Sequence, residues 1–389
     1  MFNYITAGES HGPALTAVIK DPPAGLELDV DEINYQLRRR QGGYGRGGRM
    51  SIESDSVEIT SGVRFGKTLG SPLTMTIKNK DWENWQDTMK IEEKPDDFQK
   101  EDRVEKPRPG HADLPGAIKY NFDDMRNVLE RASARETAAR TAVAAVCRQF
   151  LSEFDIKIFS HVIQIGEVEA PGFSDENVED FFSSVDKSEF RCADKNSEKK
   201  MKQLIDDWRE KGDSAGGVFE VVAAGVPVGL GSHIHWDSKL DAKLARAFMS
   251  IQAIKGVEFG LGFEAAGRPG SEVHDEIDFK DSRGFYRRSN NSGGFEGGIT
   301  IGENIKIRAA MKPIPTLATP LKTVDYHTKE DASAAKERSD ICAVPAASIV
   351  GEAVTAIQLA QSFGQKFGGD SFGEIRRNFN SYKKYLQHI

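Results

Sequence analysis

Two alanine-rich stretches place the strongest constraint on how this chain can fold. Residues from about 123 to 153 predict one long helix, and its second half carries five alanines between positions 138 and 145. Small side chains let neighbouring elements approach closely, so this half is expected in the interior. The segment "AVPAASIVGEAVTAIQLAQSF" predicts a second helix that begins after Pro345. Its buried faces are expected to carry Ile349, Ala353, Ile357 and Leu359.

Strand-like segments lie between the helical ones. Their alternation of apolar and polar residues and their Gly-Pro-Ser boundaries predict β structure. The segment "ITIGENIKIRAAM" further predicts a hairpin that turns near Gly302. We find no internal repeat and no dividing linker, which favours one intertwined α/β unit over residues 1–389. The predicted strand regions are 14–20, 51–78, 156–168 and 216–231.

The remaining segments predict surface helices and loops. A helix is expected from about residue 30 to Gln41, with Asp29 and Glu32 at capping-box spacing, and another over 238–253. The Pro-Gly-rich segment "RPGHADLPGAIKY" is expected to be loop. The polar stretches predicted to be mobile loops are those near 40–50, 78–112 and 264–298.

Composition excludes several classes of protein. The chain has 389 residues and a formal net charge of -8, which argues against general binding to nucleic acids or anionic membranes. No apolar run approaches the roughly 18 to 20 residues of a membrane span, and we expect no secretory signal. Three widely spaced cysteines match no zinc or disulfide framework, which favours reduced structural thiols in a cytoplasm.

Against this acidic background, "RRRQGGYGRGGRM" at residues 38–50 gathers five arginines and five glycines. Arginines at a helix C-terminus are favoured by the helix dipole, but that does not account for Arg46 and Arg49 beyond the helix. Arginine forks match phosphate and carboxylate, and glycine lets the backbone approach a ligand. From these residues three interpretations are open: an anion-binding loop, a solvated surface turn, or an RNA-binding segment of the Arg-Gly-Gly type.

Histidines occur in two further turns, "GESHGP" and "RPGHAD". His11 and His111 are either ordinary loop histidines or groups that pass protons near neutral pH. Ser10 precedes His11, but no nucleophile elbow surrounds it, which disfavours a serine nucleophile. The "HIH" at 233–235 lacks an evident third ligand, so we predict no metal site.

Two charged segments also have alternative interpretations. In "ERASARETAART", Arg131, Ser133 and Arg135 lie either on a solvated helix face with charges paired across turns or against a phosphate. In "KERSDICAVPA", Asp340 is either a helix cap or a group poised for proton transfer.

Taken together and in this order, these motifs and "AAMKPIPTL" resemble the chorismate synthase family, from the first residues to about residue 364. The resemblance implies a lyase that converts 5-enolpyruvylshikimate 3-phosphate to chorismate and phosphate by a 1,4-anti elimination requiring reduced FMN. It also implies a sandwich of antiparallel sheets with flanking and central helices, assembled as a homotetramer.

The resemblance carries residue roles onto matching positions. His11 is expected to protonate the departing phosphate, and His111 to stabilise or protonate the reduced flavin near N1 and O2. Asp340, with Ser10 and Ser133, is expected to handle the flavin N5 proton. The arginines expected to clamp the substrate, or in part a nicotinamide, are Arg40, Arg46, Arg49, Arg108, Arg135 and Arg338. The expected FMN contacts are Arg131, Ala132, Ser133, Gln252, Ala253, Gly297, Lys312, Pro313, Ile314, Pro315, Thr316 and Arg338.

Two of these positions depart mildly from the family. Ala132 stands where many members have serine, and Gln252 where many have asparagine. NADPH as a reductant and a separate flavin reductase as a partner are both compatible with the sequence. Two other classes stay open: a flavin oxidoreductase that consumes NADPH, and an RNA-binding protein built on the Arg-Gly loop.

Overall fold

The computed structural model describes residues 1–46, 54–92, 103–174, 177–335 and 340–389. The strands are β1 (Tyr4–Ala7), β2 (Ala14–Ile19), β3 (Val57–Ser61), β4 (Val63–Arg64), β5 (Lys67–Thr68), β6 (Leu73–Lys78), β7 (Lys157–Ile165), β8 (Val168–Glu169), β9 (Gly217–Ala224), β10 (Ile254–Phe259), β11 (Ile277–Lys280), β12 (Gly284–Arg287), β13 (Phe295–Glu296), β14 (Ile299–Thr300), β15 (Ile305–Met311), β16 (Lys322–Val324) and β17 (Asp331–Ser333). The helices are α1 (Val30–Gln41), α2 (Asp113–Tyr120), α3 (Arg126–Ala132), α4 (Thr137–Ser152), α5 (Val178–Val185), α6 (Lys195–Lys211), α7 (Leu240–Met249), α8 (Gly270–Val273), α9 (Val344–Phe367) and α10 (Phe372–Leu386).

Two antiparallel sheets enclose a layer of helices. The first sheet has the order β1-β2-β6-β3 and the second the order β10-β15-β9-β7-β8. Helix α4 packs on β2 and β6, and α9 packs on α4 and on β7 and β9. The predicted sandwich of antiparallel sheets with central helices is therefore confirmed.

Alternating burial fixes the register of the strands against this helical layer. In β2 the side chains of Leu15, Ala17 and Ile19 are buried, and each lies opposite a buried residue of β6, for example Ala17 opposite Met75. Because side chains alternate between faces, a shift of one residue would expose the whole row.

The two alanine-rich helices lie in the interior, as their sequence predicts. The five alanines of α4 and the four predicted apolar positions of α9 are all buried. Gly351 shows how tightly α9 packs, because a Cβ at this position would lie 2.6 Å from the Phe219 ring of β9. A larger residue would push the helix away from the second sheet.

The C-terminal helix α10 closes one end of this layer. Phe372 and Phe379 are buried in a cluster of aromatic rings with Phe150 and Phe154 of α4 and its C-terminal turn, and with Phe363 of α9. Edge-to-face pairs of this kind contribute about 0.5–1.5 kcal/mol each beyond the buried area.

A buried carboxylate joins four elements of the fold. Glu352 of α9 accepts hydrogen bonds from Arg39 of α1 at 2.7 and 3.0 Å and from Arg148 of α4 at 3.0 Å. Ser160 of β7 donates to the same carboxylate at 2.7 Å, and Arg191 does so at 3.3 Å. Arg39 therefore lies in a buried ion network and does more than end a helix.

The first predicted helix is confirmed, with one difference in its cap. Asp29 accepts hydrogen bonds from the backbone N–H groups of Asp31 and Glu32. Glu32 does not return the contact, because its carboxylate accepts from Gln36, and Gln149 accepts the N–H of Asp29. The capping box is therefore only half formed.

The long helix predicted over 123–153 is wrong in its first half. Helix α3 ends at Ala132, Ser133 adopts an extended conformation, and a 3-10 turn over Ala134–Glu136 leads into α4. The Ser133 side chain accepts the backbone N–H of Arg135, and this local bond competes with a continuous helix.

The loop predicted for "RPGHADLPGAIKY" is also wrong, because its second half is helix α2. Pro115 lies in the first turn, where a missing N–H is tolerated. Gly116 allows close packing on α3, since a Cβ at this position would lie 2.4 Å from Val128. Asn121 then ends the helix in the left-handed conformation.

Two further regions differ from expectation. The predicted hairpin near Gly302 does not form, because β14 pairs with β13 while β15 pairs with β9 and β10. The region 264–298 contains α8 and the hairpin of β11 and β12, so it is not loop throughout. The mobility of these loops stays a prediction.

All three cysteines are buried and unpaired. Burial raises the pKa of Cys342 to about 12 and raises the pKa values of Cys147 and Cys192 above their ordinary value, which disfavours reactive thiolates. Across the described ranges, no helix is long and apolar enough to cross a bilayer.

The Glu352 network makes a prediction for stability. Burial raises the pKa of Glu352, but the charges of Arg39, Arg148 and Arg191 outweigh it and lower the pKa from 4.5 to about 2. Glu352→Gln should lower the free energy of unfolding at pH 7 by about 3–5 kcal/mol, because three guanidinium groups lose their carboxylate. Since the pKa is depressed, the difference should shrink as the pH falls from 4.5 towards 2.

Denaturant unfolding of both proteins at several pH values measures this difference. Glu189→Gln, which changes an exposed carboxylate 3.9 Å from Lys202, is the matched control and should change stability by less than about 0.5 kcal/mol. Equal effects of the two substitutions would contradict a structural role for the network.

Candidate active site

His11 lies in the turn between β1 and β2 and is held by Glu130 of α3. Its Nδ1 is 2.9 Å from Oε1 and 3.1 Å from Oε2 of that carboxylate, and its backbone N–H donates to Oε2 at 2.8 Å. Its ring stacks on Trp85 with centroids 3.9 Å apart. These contacts hold the imidazole ring of His11, the histidine that the sequence predicts to be reactive, in one orientation.

Asn79, at the end of β6, ties this turn to an arginine. Its side-chain nitrogen donates to the Gly12 carbonyl at 2.7 Å and to the Ser10 carbonyl at 3.3 Å. Its side-chain oxygen accepts from Nε and Nη2 of Arg135 at 3.0 and 2.8 Å. Ser10, His11 and Arg135 are therefore brought together, as predicted for one site.

Two predicted substrate arginines converge on Asp55. Arg135 donates from Nη1 to both carboxylate oxygens at 2.7 and 2.8 Å, and Nη1 of Arg40 lies 3.7 Å from Oδ2. Arg40 also donates to Thr137 Oγ1 and to the Ala134 carbonyl, at the break between α3 and α4. All three charged side chains are buried, so the solvated helix face considered for Arg135 is wrong.

A second buried cluster surrounds His111. Asp113, at the first position of α2, accepts from Nε of Arg108 at 2.8 Å and from Nη2 at 3.0 Å, and His111 Nδ1 lies 2.5 Å from its Oδ1. Arg108 also donates to Thr316 Oγ1 at 3.1 Å. Burial raises the pKa of Asp113, but hydrogen bonds from His111 and Arg108 outweigh it and hold the pKa well below its usual range.

Backbone and side-chain contacts connect the two clusters. Gln252 donates to Glu136 Oε1 at 3.1 Å, and the Ala253 carbonyl accepts the backbone N–H of Lys312 at 2.9 Å. The Lys312 ammonium donates to the Gly110 carbonyl, next to His111. The segments predicted to bind flavin near 133, 252 and 312–316 therefore adjoin one another.

Arg46 and Asp340 form an ion pair, with 2.7 Å between Nη1 and Oδ2. Backbone bonds from Ile341 and Cys342 to the Gly45 carbonyl hold the two loops together. Asp340 does not cap α9, whose N-cap is Ala343, so the cap interpretation is wrong. Arg49 and Arg338, which the sequence also assigns to the substrate clamp, lie outside the described residues.

Other predicted site residues have structural contacts. Arg131 donates to the carbonyls of Gly8 and Thr6 and so fastens α3 to β1. Gly297 lies in the turn between β13 and β14, beside His233. His235 pairs with the exposed Asp237, and within the described ranges no group of three or more His, Cys, Asp or Glu side chains could hold a metal ion.

Four residues that contact the predicted site residues were not themselves predicted from the sequence: Asp55, Asn79, Trp85 and Glu130. Glu130 stands inside "ERASARETAART", where its distance from His11 in the chain concealed the contact. Asp55 and Asn79 flank strands of the first sheet, and no local pattern distinguishes them from ordinary polar residues.

These contacts define a class of protein: an α/β enzyme with two carboxylate-bound histidines and a buried set of arginines suited to an anionic substrate. A family model described as chorismate synthase matches residues 2–363. A chorismate synthase of Geobacter metallireducens is 57% identical over 396 residues, spanning 100% of both chains. One from Aquifex aeolicus is 56% identical over 99% of this chain and 98% of its own.

A solved structure agrees with these relatives. A crystal structure of chorismate synthase matches with a TM-score of 0.81 and 47% identity, covering 100% of this chain and 98% of the other. The chain belongs to the chorismate synthase family, whose members are lyases of the shikimate pathway and of aromatic amino-acid biosynthesis. The alternatives of a flavin oxidoreductase and an RNA-binding protein receive no support.

The His111 cluster makes a prediction for stability. Asp113→Ala should lower the free energy of unfolding by about 3–5 kcal/mol, because the buried Arg108 loses its carboxylate. Asp123→Ala removes the exposed partner of Arg103 and should cost less than about 0.5 kcal/mol. Urea unfolding at pH 7 compares the two, and equal costs would contradict the proposed importance of the buried pair.

Proposed function

We propose that this chain converts 5-enolpyruvylshikimate 3-phosphate to chorismate and phosphate at the site formed by the His11 and His111 clusters, with reduced FMN as cofactor. The observation that carries the assignment of the site is a series of contacts that link the neighbours of these residues. Asn79 bonds to Arg135 and to the carbonyls on either side of His11, and Gln252 bonds to Glu136, next to Arg135. Lys312 bonds to the carbonyls of Ala253 and Gly110, which adjoin Gln252 and His111. These contacts bring together residues that the sequence resemblance assigns to one reaction.

The arginines bind the substrate anions in this proposal. The substrate carries a phosphate and two carboxylates, and removing such charges from water costs several kcal/mol each unless they are paired. Arg40 and Arg135 are buried at the break between α3 and α4, with forked guanidinium groups suited to these anions. Arg46 and Arg108 complete the described part of the clamp, and Arg49 and Arg338 are assigned to it from the sequence.

His11 supplies the proton that leaves with the phosphate. Its Nδ1 contacts Glu130, and in this proposal Nε2 is the ring atom that gives the proton to the substrate. As the C3–O bond breaks, the electron pair stays on the phosphate oxygen and His11 protonates it. A hydrogen leaves C6 in the same overall elimination, so the conversion involves no net oxidation or reduction of the substrate.

One hydrogen-bond acceptor of the site, the side-chain oxygen of Gln252, fits a bound flavin. The side-chain oxygen of Gln252 is buried and accepts no hydrogen bond from the described residues, which suits an N–H donor such as that of the isoalloxazine ring. Residues 131–133, Gln252, Ala253, Gly297 and 312–316, with Arg338, would hold the flavin. When bound there, reduced FMN would supply the electron that assists C3–O cleavage and the acceptor for the hydrogen from C6.

His111 and Asp340 handle protons of the cofactor. His111, anchored through Nδ1 to Asp113, stabilises or protonates the reduced flavin near N1 and O2. Asp340, assisted by Ser10 and Ser133, exchanges the proton at N5. In the described structure the Asp340 carboxylate is paired with Arg46.

The assembly and setting of the enzyme complete the proposal. The chain works as a homotetramer in the cytoplasm on a small-molecule substrate, without nucleic acid or membrane. Its flavin is reduced by NADPH on this chain or by a separate flavin reductase. The family resemblance supports the tetramer.

An anaerobic assay with photoreduced FMN tests the reaction. Chorismate absorbance and phosphate release should rise together, and neither should rise with oxidised FMN. A lack of turnover with reduced FMN, or equal turnover without it, would contradict the proposal. Adding NADPH and oxidised FMN aerobically without a reductase then distinguishes the two sources of electrons, because turnover in that mixture requires reduction on this chain.

His11→Ala tests the proton donor. Turnover should fall by about 10²- to 10⁴-fold with a modest change in substrate affinity, because general acid catalysis is lost while the arginine clamp remains. His388→Ala, an exposed histidine near the C-terminus, is the control and should leave turnover unchanged. Normal turnover of His11→Ala in single-turnover assays would remove His11 from the mechanism.

A further inference from the structure

The two predicted catalytic histidines are held in the same way. Each ring contacts a buried carboxylate through Nδ1, His11 that of Glu130 and His111 that of Asp113. In both pairs an arginine also contacts the carboxylate: Arg126 lies 3.4 Å from Glu130, and Arg108 forks onto Asp113. The two histidines lie in different loops, so local sequence does not impose the shared arrangement.

We propose that Glu130 is a positioning residue that holds one hydrogen of the His11 ring on Nδ1, so that the proton which His11 takes up and then gives to the departing phosphate is carried on Nε2. This inference rests on the role of His11 in the proposed function. It assigns to Glu130 a part in the reaction that acts through His11 and not through contact with the substrate.

The geometry restrains both the backbone and the ring of His11. Glu130 accepts the backbone N–H of His11 at 2.8 Å as well as contacting Nδ1, so one carboxylate holds two points of the same residue. The Glu130 carbonyl also accepts the N–H of Ser10 at 3.0 Å. Rotation of the imidazole about its side-chain bonds would break at least one of these contacts.

Aromatic packing restrains the ring further. Trp85 stacks on the imidazole at 3.9 Å, and Arg126 lies over the same indole at 5.1 Å while reaching Glu130. Asp81 accepts the indole N–H at 3.0 Å and fixes Trp85. The ring of His11 therefore packs against the indole and is bonded through Nδ1.

The charge of Glu130 determines the tautomer. Burial raises the pKa of Glu130, but hydrogen bonds from His11 and the charge of Arg126 outweigh it and lower the pKa below its ordinary value. An ionised carboxylate only accepts hydrogen bonds, so the Nδ1 that faces it must carry the hydrogen. A glutamine would remove this constraint, because its amide can donate to Nδ1 as well as accept from it.

Glu130→Gln tests the proposal through a signal that simple structural support would not change. We would record ¹⁵N NMR spectra of sedimented full-length enzyme with labelled histidine, assigning the His11 signals by their loss in His11→Ala. The wild type should show the Nδ1–H form of His11, and Glu130→Gln should shift part of the population to the Nε2–H form. Glu130→Asp, which keeps an acceptor-only group, should restore the Nδ1–H form.

Kinetics provide the second readout. Glu130→Gln should lower kcat by up to about 10²-fold, the lower end of what general acid catalysis contributes, with KM within about twofold. Glu130→Asp should recover part of the loss. Glu27→Gln, which removes an exposed carboxylate beside Lys67, is the control and should match the wild type in both readouts.

The outcomes separate the inference from the proposed function. An Nε2–H tautomer of His11 in the wild type, or an unchanged tautomer and kcat in Glu130→Gln, overturns the positioning role even when His11→Ala is inactive. Normal turnover of His11→Ala removes His11 from the reaction whatever its tautomer. If Glu130→Gln fails to fold, the spectra of the wild type and of Glu130→Asp still test the positioning role. The absence of the Nδ1–H form of His11 in either protein contradicts the proposal.

Discussion

Buried carboxylates paired with cationic side chains hold this structure together around its site. Glu352 of α9 is bonded to α1 through Arg39, to α4 through Arg148 and to β7 through Ser160, and Asp55 lies between Arg135 and Arg40. A charge removed from water is tolerated only when paired and hydrogen-bonded, so each pair fixes the relative position of the elements it joins. Arg135 in the turn between α3 and α4, and Arg40 of α1, which bonds to that turn, therefore keep fixed positions, because α1, α4 and α9 cannot shift independently.

The central helices and the first sheet hold the loops of the candidate site in place. Ser133 interrupts the helical conformation, and helix α4 begins after the 3-10 turn that follows it. The buried alanines of α4 let it pack closely on both the first sheet and α9. The turn that carries His11 begins and ends on strands of that same sheet, and Asn79 bonds it to Arg135. Loops therefore supply the reactive groups, while the sheets and helices determine where those loops begin and end.

Much of the fold and part of the site could be predicted from the sequence. Periodicity identified α1 and the strands β2, β3 and β6 of the first sheet, and the long apolar run identified α9, which is buried on most of its sides. Strand β1 was not predicted. The predicted long helix is interrupted at Ser133, because its side chain bonds to the backbone of Arg135. The loop predicted around Pro115 is a helix, because a proline is tolerated in the first helical turn. Motif resemblance assigned His11, His111 and Arg135 to the candidate site. The contacts of Glu130 with His11, of Asp55 with Arg135 and of Asn79 with Arg135 join residues far apart in sequence, which no local pattern specifies.

The central claim is that the His11 and His111 clusters form one site that holds the substrate phosphate against His11. A crystal structure of the enzyme with 5-enolpyruvylshikimate 3-phosphate and oxidised FMN tests this claim most directly. The account predicts the phosphate within hydrogen-bond distance of His11 Nε2, with Gln252 Oε1 accepting from the flavin. A phosphate bound away from His11, or a flavin that does not reach the segments around Gln252 and 312–316, would contradict it.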